Sequence, residues 1–210
     1  MSSKPFLDRL DTWLSRHRPD YYAQLRPGLS AEQLADFEKA VGFAFPESFR
    51  GLYRWHDGQA NDRLALRNNQ YFMPSEEVKT TWEMLTSMQE GGEWEEPQWW
   101  HRGWIPFLSN GAGSHLCLDL HGSFTGLPGQ VIEFWGKFDD RPIVAPSLEG
   151  WLEHFVGSLE AGLWSLEEGG NFSPDEHLLP KIPGYPVVGD STKKAGCKPM
   201  KPRVPRKKSP

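Results

Sequence analysis

The stretch SAEQLADFEKAVGFAFPESFRGLYRWHDG, residues 30–58, decides the fold, because it writes two capped helices and the tight link between them. Ser30 and Gln33 form a capping box, in which each side chain satisfies an orphan amide of the other residue at the helix start. Leu29 and Leu34 flank it as a hydrophobic staple. Leu34, Phe37 and Val41 recur at helical spacing, so one face is apolar and needs a surface to pack on. Gly42 ends that helix in the left-handed conformation. Pro46 opens the next one, where its missing N–H costs nothing. Phe49, Leu52, Tyr53 and His56 share a buried side, and Gly58 is expected to close the helix, with His56 complementing the helix dipole.

Around this pair the chain divides into a helical first half and a stranded second half. Phe6, Leu7, Leu10, Trp13 and Leu14 describe an amphipathic helix that Pro19 stops. Ser75, followed by Glu76 and Glu77, reads as the N-cap of a helix with Val78, Trp82, Leu85 and Met88 on one face, ended by Gly91 and Gly92. Residues 104–108, 116–120 and 130–135 are short apolar runs between Gly, Ser and Asn clusters, and 143–144 adds a fourth. Pro146 and Ser147 then open a closing helix with Leu148, Trp151, Leu152, Phe155, Val156 and Leu159 inward. Helices, then strands, then a helix predict an α+β fold: N-terminal helices on a central antiparallel or mixed sheet, with a C-terminal helix closing it.

The net charge of −5 conceals an asymmetry. Residues 181–210 hold nine Lys and Arg against Asp190, a net of +8, which leaves −13 on the remainder. We therefore expect a domain over residues 1–166 and a basic, Pro/Lys-rich tail over 167–210, extended or weakly docked. From Pro180 onward the composition predicts a mobile segment, with residues 184–186 as its docking point. Lys and Arg without interleaved aromatics fit nonspecific electrostatic contact or a fold-back onto the acidic body, not specific binding of single-stranded nucleic acid. No apolar run reaches the roughly 20 residues of a membrane span. The charged N-terminus does not read as a signal peptide. Cys117 and Cys197 supply neither a disulfide framework nor metal spacing, so a cytoplasmic protein without cofactor is expected.

Six segments in order, at residues 37–42, 45–53, 104–107, 117–120, 129–132 and 145–148 (FEKAVG, FPESFRGLY, WIPF, CLDL, GQVI and APSL), resemble the SUKH superfamily in its Smi/Knr-type branch. The resemblance covers about residues 6–160. It implies an α+β domain without a catalytic centre, known in fungi as a cell-wall-assembly regulator and in bacteria mostly as immunity proteins of polymorphic toxins. Two departures fall on loops. His121 and Gly122 replace an Asp-Pro-type turn, and Gly136 stands where the family often has His.

Candidate chemistry in the chain is sparse. Ser114, His115 and Asp119 lie too close along one turn and strand to converge as a triad. His115, Asp119 and His121 alternate on one strand side, a possible metal triplet weighed against a plain polar face. More suggestive is EGGEWEEPQWW, residues 90–100, where Glu90, Glu93, Glu95 and Glu96 surround Trp94, the composition of a binding hot spot suited to a basic partner. Trp99 and Trp100 read as core. His121, Asp139 and Asp140 complete the candidate partner contacts. The expected function is an immunity protein that inhibits a cognate toxin, a basic nuclease, by occlusion and without turnover. The alternative is a non-catalytic regulatory or scaffolding module of the cell-wall-regulator type.

Overall fold

The computed structural model describes residues 3–96, 98–190 and 197–199. Its first helices are α1 (Lys4–His17) and α2 (Pro19–Tyr22), with Pro19 at the start of the short second helix. The capping box opens α3 (Ala31–Val41) as expected. Gln33 N donates to Ser30 Oγ at 3.2 Å, and Ser30 N donates to Gln33 Oε1 at 2.8 Å. Gly42 is left-handed, at φ 75°.

The second helix of the pair, α4 (Glu47–Trp55), is preceded by Pro46 as its N-cap and stops earlier than the sequence suggests. His56–Gln59 is a strand, β2, paired antiparallel with β1 (Leu25–Pro27). Gly58 therefore does not cap a helix. It sits inside β2 at φ +70°, and a Cβ there would fall 2.3 Å from Pro74 N, so the close crossing of residues 73–74 requires glycine. His56 is likewise no dipole partner: Nδ1 lies 2.7 Å from Arg26 O, and Nε2 lies 3.6 Å from Asp11 Oδ1.

Ser75 is also reassigned. Pro74 is the N-cap of α5 (Ser75–Glu90), and Ser75 N donates to the buried carboxylate of Asp57 at 2.7 Å. A side chain 18 residues upstream thus supplies the cap that local sequence appeared to offer. Asp57 also lies 3.4 Å from Arg26, which joins β1, β2 and the start of α5.

Among the described residues the sheet is a seven-stranded antiparallel array in the order β11 (Cys197–Pro199), β10 (Val187–Asp190), β7 (Asp140–Ala145), β6 (Gln130–Trp135), β5 (Ser114–Asp119), β4 (Trp104–Ser109) and β3 (Tyr71–Phe72). Its centre is a meander of β4 (Trp104–Ser109), β5 (Ser114–Asp119), β6 (Gln130–Trp135) and β7 (Asp140–Ala145). β3 (Tyr71–Phe72) joins one edge. The turn between β4 and β5 is closed by Asn110 Oδ1, which accepts from Ala112 N and Ser114 N at 2.9 and 3.0 Å. This local bonding is why Asn-Gly-rich residues 110–114 form a turn and not a reactive loop. Ser147 caps the closing helix α6 (Leu148–Glu160) by accepting from Gly150 N at 3.1 Å.

Helices meet sheet through aromatic rings. Phe37, Phe45, Phe49 and Tyr53 pack with centroids 4.8–5.3 Å apart, and Phe107 on β4 touches both Phe49 (6.1 Å) and Trp151 of α6 (5.6 Å). Such edge-on contacts add to the area term that dominates the core.

Beyond α6 the chain keeps folding. β8 (Trp164–Leu166) and β9 (Phe172–Pro174) make a hairpin. β10 (Val187–Asp190) pairs along β7, with Val187 opposite Ile143 and Asp190 opposite Asp140. The expectation of mobility from Pro180 is thus corrected for these residues, because the open edge of β7 offers backbone partners that composition cannot register. Gly189 faces the ring of Phe124, where a Cβ would lie 2.4 Å away. The backbone of β11 (Cys197–Pro199) continues the sheet, and the rest of the basic segment lies outside the described residues. No helix among the described residues is long and apolar enough to cross a membrane.

Candidate functional site

Residues 91–103 carry the chain from the end of α5 to β4. Gln89 of α5 clamps the middle of this segment: Trp100 N donates to its Oε1 at 3.0 Å, and its Nε2 reaches Glu96 O at 3.4 Å. Trp100 is buried edge-on against Trp104 and Phe134, and its Nε1 donates to Thr86 Oγ1 at 3.1 Å. Trp99 is half-buried and stands 6.3 Å from Trp94, with its buried indole N–H unmatched by any acceptor among the described residues.

Behind these rings lies Arg141, wholly buried at the start of β7 and without an ion pair among the described residues. Backbone carbonyls take the place of a carboxylate. Nε and Nη2 donate to Trp99 O at 3.1 and 2.9 Å, and Nη1 donates to Asp140 O at 2.8 Å and to Phe138 O. The guanidinium also lies 4.8 Å from the Trp99 ring and 4.9 Å from Phe134. Burial pushes its pKa down to about 10, against the opposing fields of Asp139, Asp140 and Glu96. It is a cation at neutral pH, held by multiple carbonyl dipoles and two π faces.

The consequence is a joined surface. One guanidinium fastens Trp99 to the turn between β6 and β7; Glu93, Trp94, Glu95 and Glu96 lie a few residues before Trp99, and Asp139 and Asp140 follow Phe138. Phe138 at the turn is 55% exposed, and Trp135 packs against it at 6.1 Å. These two segments combine an exposed phenyl and a half-buried indole with five exposed or half-exposed carboxylates and one exposed cation, Lys137. Arg141 was not singled out from the sequence. Next to two aspartates at a strand start it reads as a solvated charge, and no local pattern marks it as buried.

Glu90 and His121 stand apart from this face. Glu90 ends α5 and lies 3.9 Å from Arg102. His121 stacks on His101 at 4.1 Å, lining a separate cleft of about 360 Å³ with Gln98, Trp104 and Phe124. His101 Nδ1 accepts from Gly103 N at 3.0 Å. Burial and the neighbouring imidazole hold His101 below the ordinary histidine value.

The possible His115, Asp119 and His121 triplet is divided among three tasks. Asp119, fully buried, organises the turn after β5: it accepts from the amides of His121, Gly122 and Ser123 at 2.9, 3.0 and 2.6 Å, and from Gln130 Nε2 at 2.7 Å. His115 lies parallel to Phe134 at 6.1 Å, with Nδ1 buried and unpartnered among the described residues, and burial lowers its pKa to about 4. His121 is exposed beyond the strand. No three His, Cys, Asp or Glu side chains among the described residues gather as a metal site.

The elements define an α+β domain, helices on an antiparallel meander. The SMI1 / KNR4 family (SUKH-1) matches residues 28–154, and the chain belongs to it. The chain is similar to a Saccharomyces cerevisiae protein named cell wall assembly regulator SMI1, at 24% identity over 81% of this chain and 43% of that protein. It is also similar to a Neurospora crassa glucan synthesis regulatory protein, at 23% identity over 78% of this chain and 40% of the relative. A Debaryomyces hansenii KNR4/SMI1 homolog 2 is 24% identical over 77% of this chain and 36% of its own length. The chain thus spans less than half the length of these curated relatives. Two of the three names, the Saccharomyces cerevisiae and Neurospora crassa ones, describe regulators.

Proposed function

We propose that this chain is a non-catalytic regulatory binding module of the cell-wall-regulator type, which holds a basic protein partner on the acidic face fastened by Arg141. The observation that carries the reading is the double attachment of Arg141 to Trp99 and Phe138, which fixes two otherwise unrelated loops into one surface. Exposed aromatics ringed by charge supply a desolvated anchor with steering around it. The names of the curated relatives support regulation over toxin neutralisation. The same acidic face suits the basic nuclease expected of an immunity reading, and the identity of the partner separates the two.

The test replaces the chromosomal copy in the source organism with a variant neutralised at Glu93, Glu95, Glu96, Asp139 and Asp140 to Gln or Asn. Supporting results are a folded protein, loss of its co-purifying partner and sensitivity to wall-perturbing dyes. A variant that keeps its partner and its stress resistance rejects the reading. A partner that proves to be a nuclease neutralised by the chain returns the immunity function in its place.

A further inference from the structure

A second cavity, of about 500 Å³, lies between the end of α1 and the β8–β9 hairpin, away from the acidic face. Apart from Leu64, its walls come from residues 13–20 and 159–172, outside the family match at 28–154. Trp13, Trp164, Leu166 and Phe172 supply an apolar lining, with Trp164 and Phe172 stacked at 5.4 Å. His17, Arg18, Asp20 and Glu160 are its polar lining, and Arg18 is the buried one. It is 8% exposed, and its guanidinium lies 4.2 Å from the Phe172 ring and 4.7 Å from Tyr21.

Arg18 is short of acceptors. Nη1 donates to Ala65 O at 2.7 Å, and no carboxylate pairs with it among the described residues. Glu160, on the cavity wall, is already held bidentate by Arg9 at 2.9 and 2.5 Å. Asp20, also on the wall, is exposed. A guanidinium has five N–H donors in a planar fork, and a buried one left without an anion is costly. Here aromatic stacking holds the plane, and the cavity leaves room for an acceptor.

We propose that this cavity binds a carboxylate carried on an aromatic body, with the carboxylate on Arg18 and the ring between the Trp13 and Trp164 walls. Arg18 is the buried cation on a wall that also carries His17, Asp20 and Glu160, so a monoanion matches it better than a phosphate dianion, whose second charge those carboxylates would oppose. The volume accommodates one ring system. A free aromatic acid and the C-terminal aromatic residue of a partner chain both carry such a carboxylate, and the chemistry at Arg18 is the same.

Calorimetric titration of the full chain with 2-naphthoate and with the neutral 2-naphthalenemethanol reads the proposal directly. The acid should bind at least about tenfold more tightly, the worth of a charge-assisted hydrogen-bond pair. Arg18→Met should erase that difference. Leu166→Glu, at a residue 59% exposed on the cavity wall, should weaken the acid and spare the alcohol, and serves if Arg18→Met fails to fold. A peptide ending in Phe, as free acid and as amide, distinguishes the sources: preference for the free-acid peptide points to a partner's C-terminus, and binding of 2-naphthoate alone points to a small acid. Absence of binding by both acids, equal binding of acid and alcohol, or a difference that survives Arg18→Met or Leu166→Glu overturns it.

Discussion

Arg141 and Trp99, 42 residues apart, are joined twice: the guanidinium donates to one carbonyl oxygen from Nε at 3.1 Å and from Nη2 at 2.9 Å, while its plane lies 4.8 Å from the indole of the same residue. This contact turns a loop into a surface. It holds Trp99 against the β6–β7 turn with backbone carbonyls, not a buried acid, as the partners of the guanidinium, and Asp139 and Asp140 beside it are exposed.

Arg141→Met should therefore cost about 3–5 kcal/mol, since it removes a buried charge and leaves several carbonyls without donors. Arg141→Lys should restore only part of this, because an ammonium cannot span Trp99 O and Phe138 O in one plane. Urea unfolding of the three proteins checks the order wild type, Lys, Met. A Met variant as stable as wild type would remove Arg141 from the account.

Asp119 is expected to behave as a structural carboxylate. Asp119→Ala strands four donors and should destabilise the fold by about 3 kcal/mol, with the turn at 121–123 losing amide protection first. Hydrogen exchange resolves that local loss from global unfolding. Uniform exchange across the protein would contradict the assignment.

The pH dependence has a definite sign. His115 titrates near 4 in the folded chain and near 6.5 when unfolded, so above pH 6.5 it contributes nothing. As pH falls from about 6.5 to 4 the unfolded state takes up the proton first, and stability declines by about 3 kcal/mol. His115→Phe, which keeps the stack on Phe134 and removes the unpartnered Nδ1, should flatten this decline and leave stability at pH 7 equal or higher. Thermal melts from pH 4 to 7 on both proteins make the comparison.

The parts of the fold that rest on local chemistry were legible in the chain. The Ser30–Gln33 capping box, Gly42 and the central strands need only neighbours in sequence, and they stand where the pattern places them. The parts that rest on distant backbone were not. β2 is the polar tetrapeptide His56–Gln59, which has no apolar alternation and is a strand because β1 pairs with it. β10 is short and Gly-containing, and it forms on the open edge of β7. Of the candidate contacts, the acidic residues were visible as composition, but the residue that assembles them is a buried arginine flanked by Asp140 and Pro142. Burial of such a charge is decided by carbonyls 1 to 42 residues away.

The central claim, that the face fastened by Arg141 holds the partner, is tested most directly by a photo-crosslinking residue placed at Phe138, with Leu178, 63% exposed, as the reference position. In cells of the source organism, the Phe138 probe should give a discrete adduct to a basic segment of one protein. Neutralising Glu93, Glu95, Glu96, Asp139 and Asp140 should abolish it. An adduct that forms from Leu178 instead, or one at Phe138 that survives neutralisation, would contradict the account.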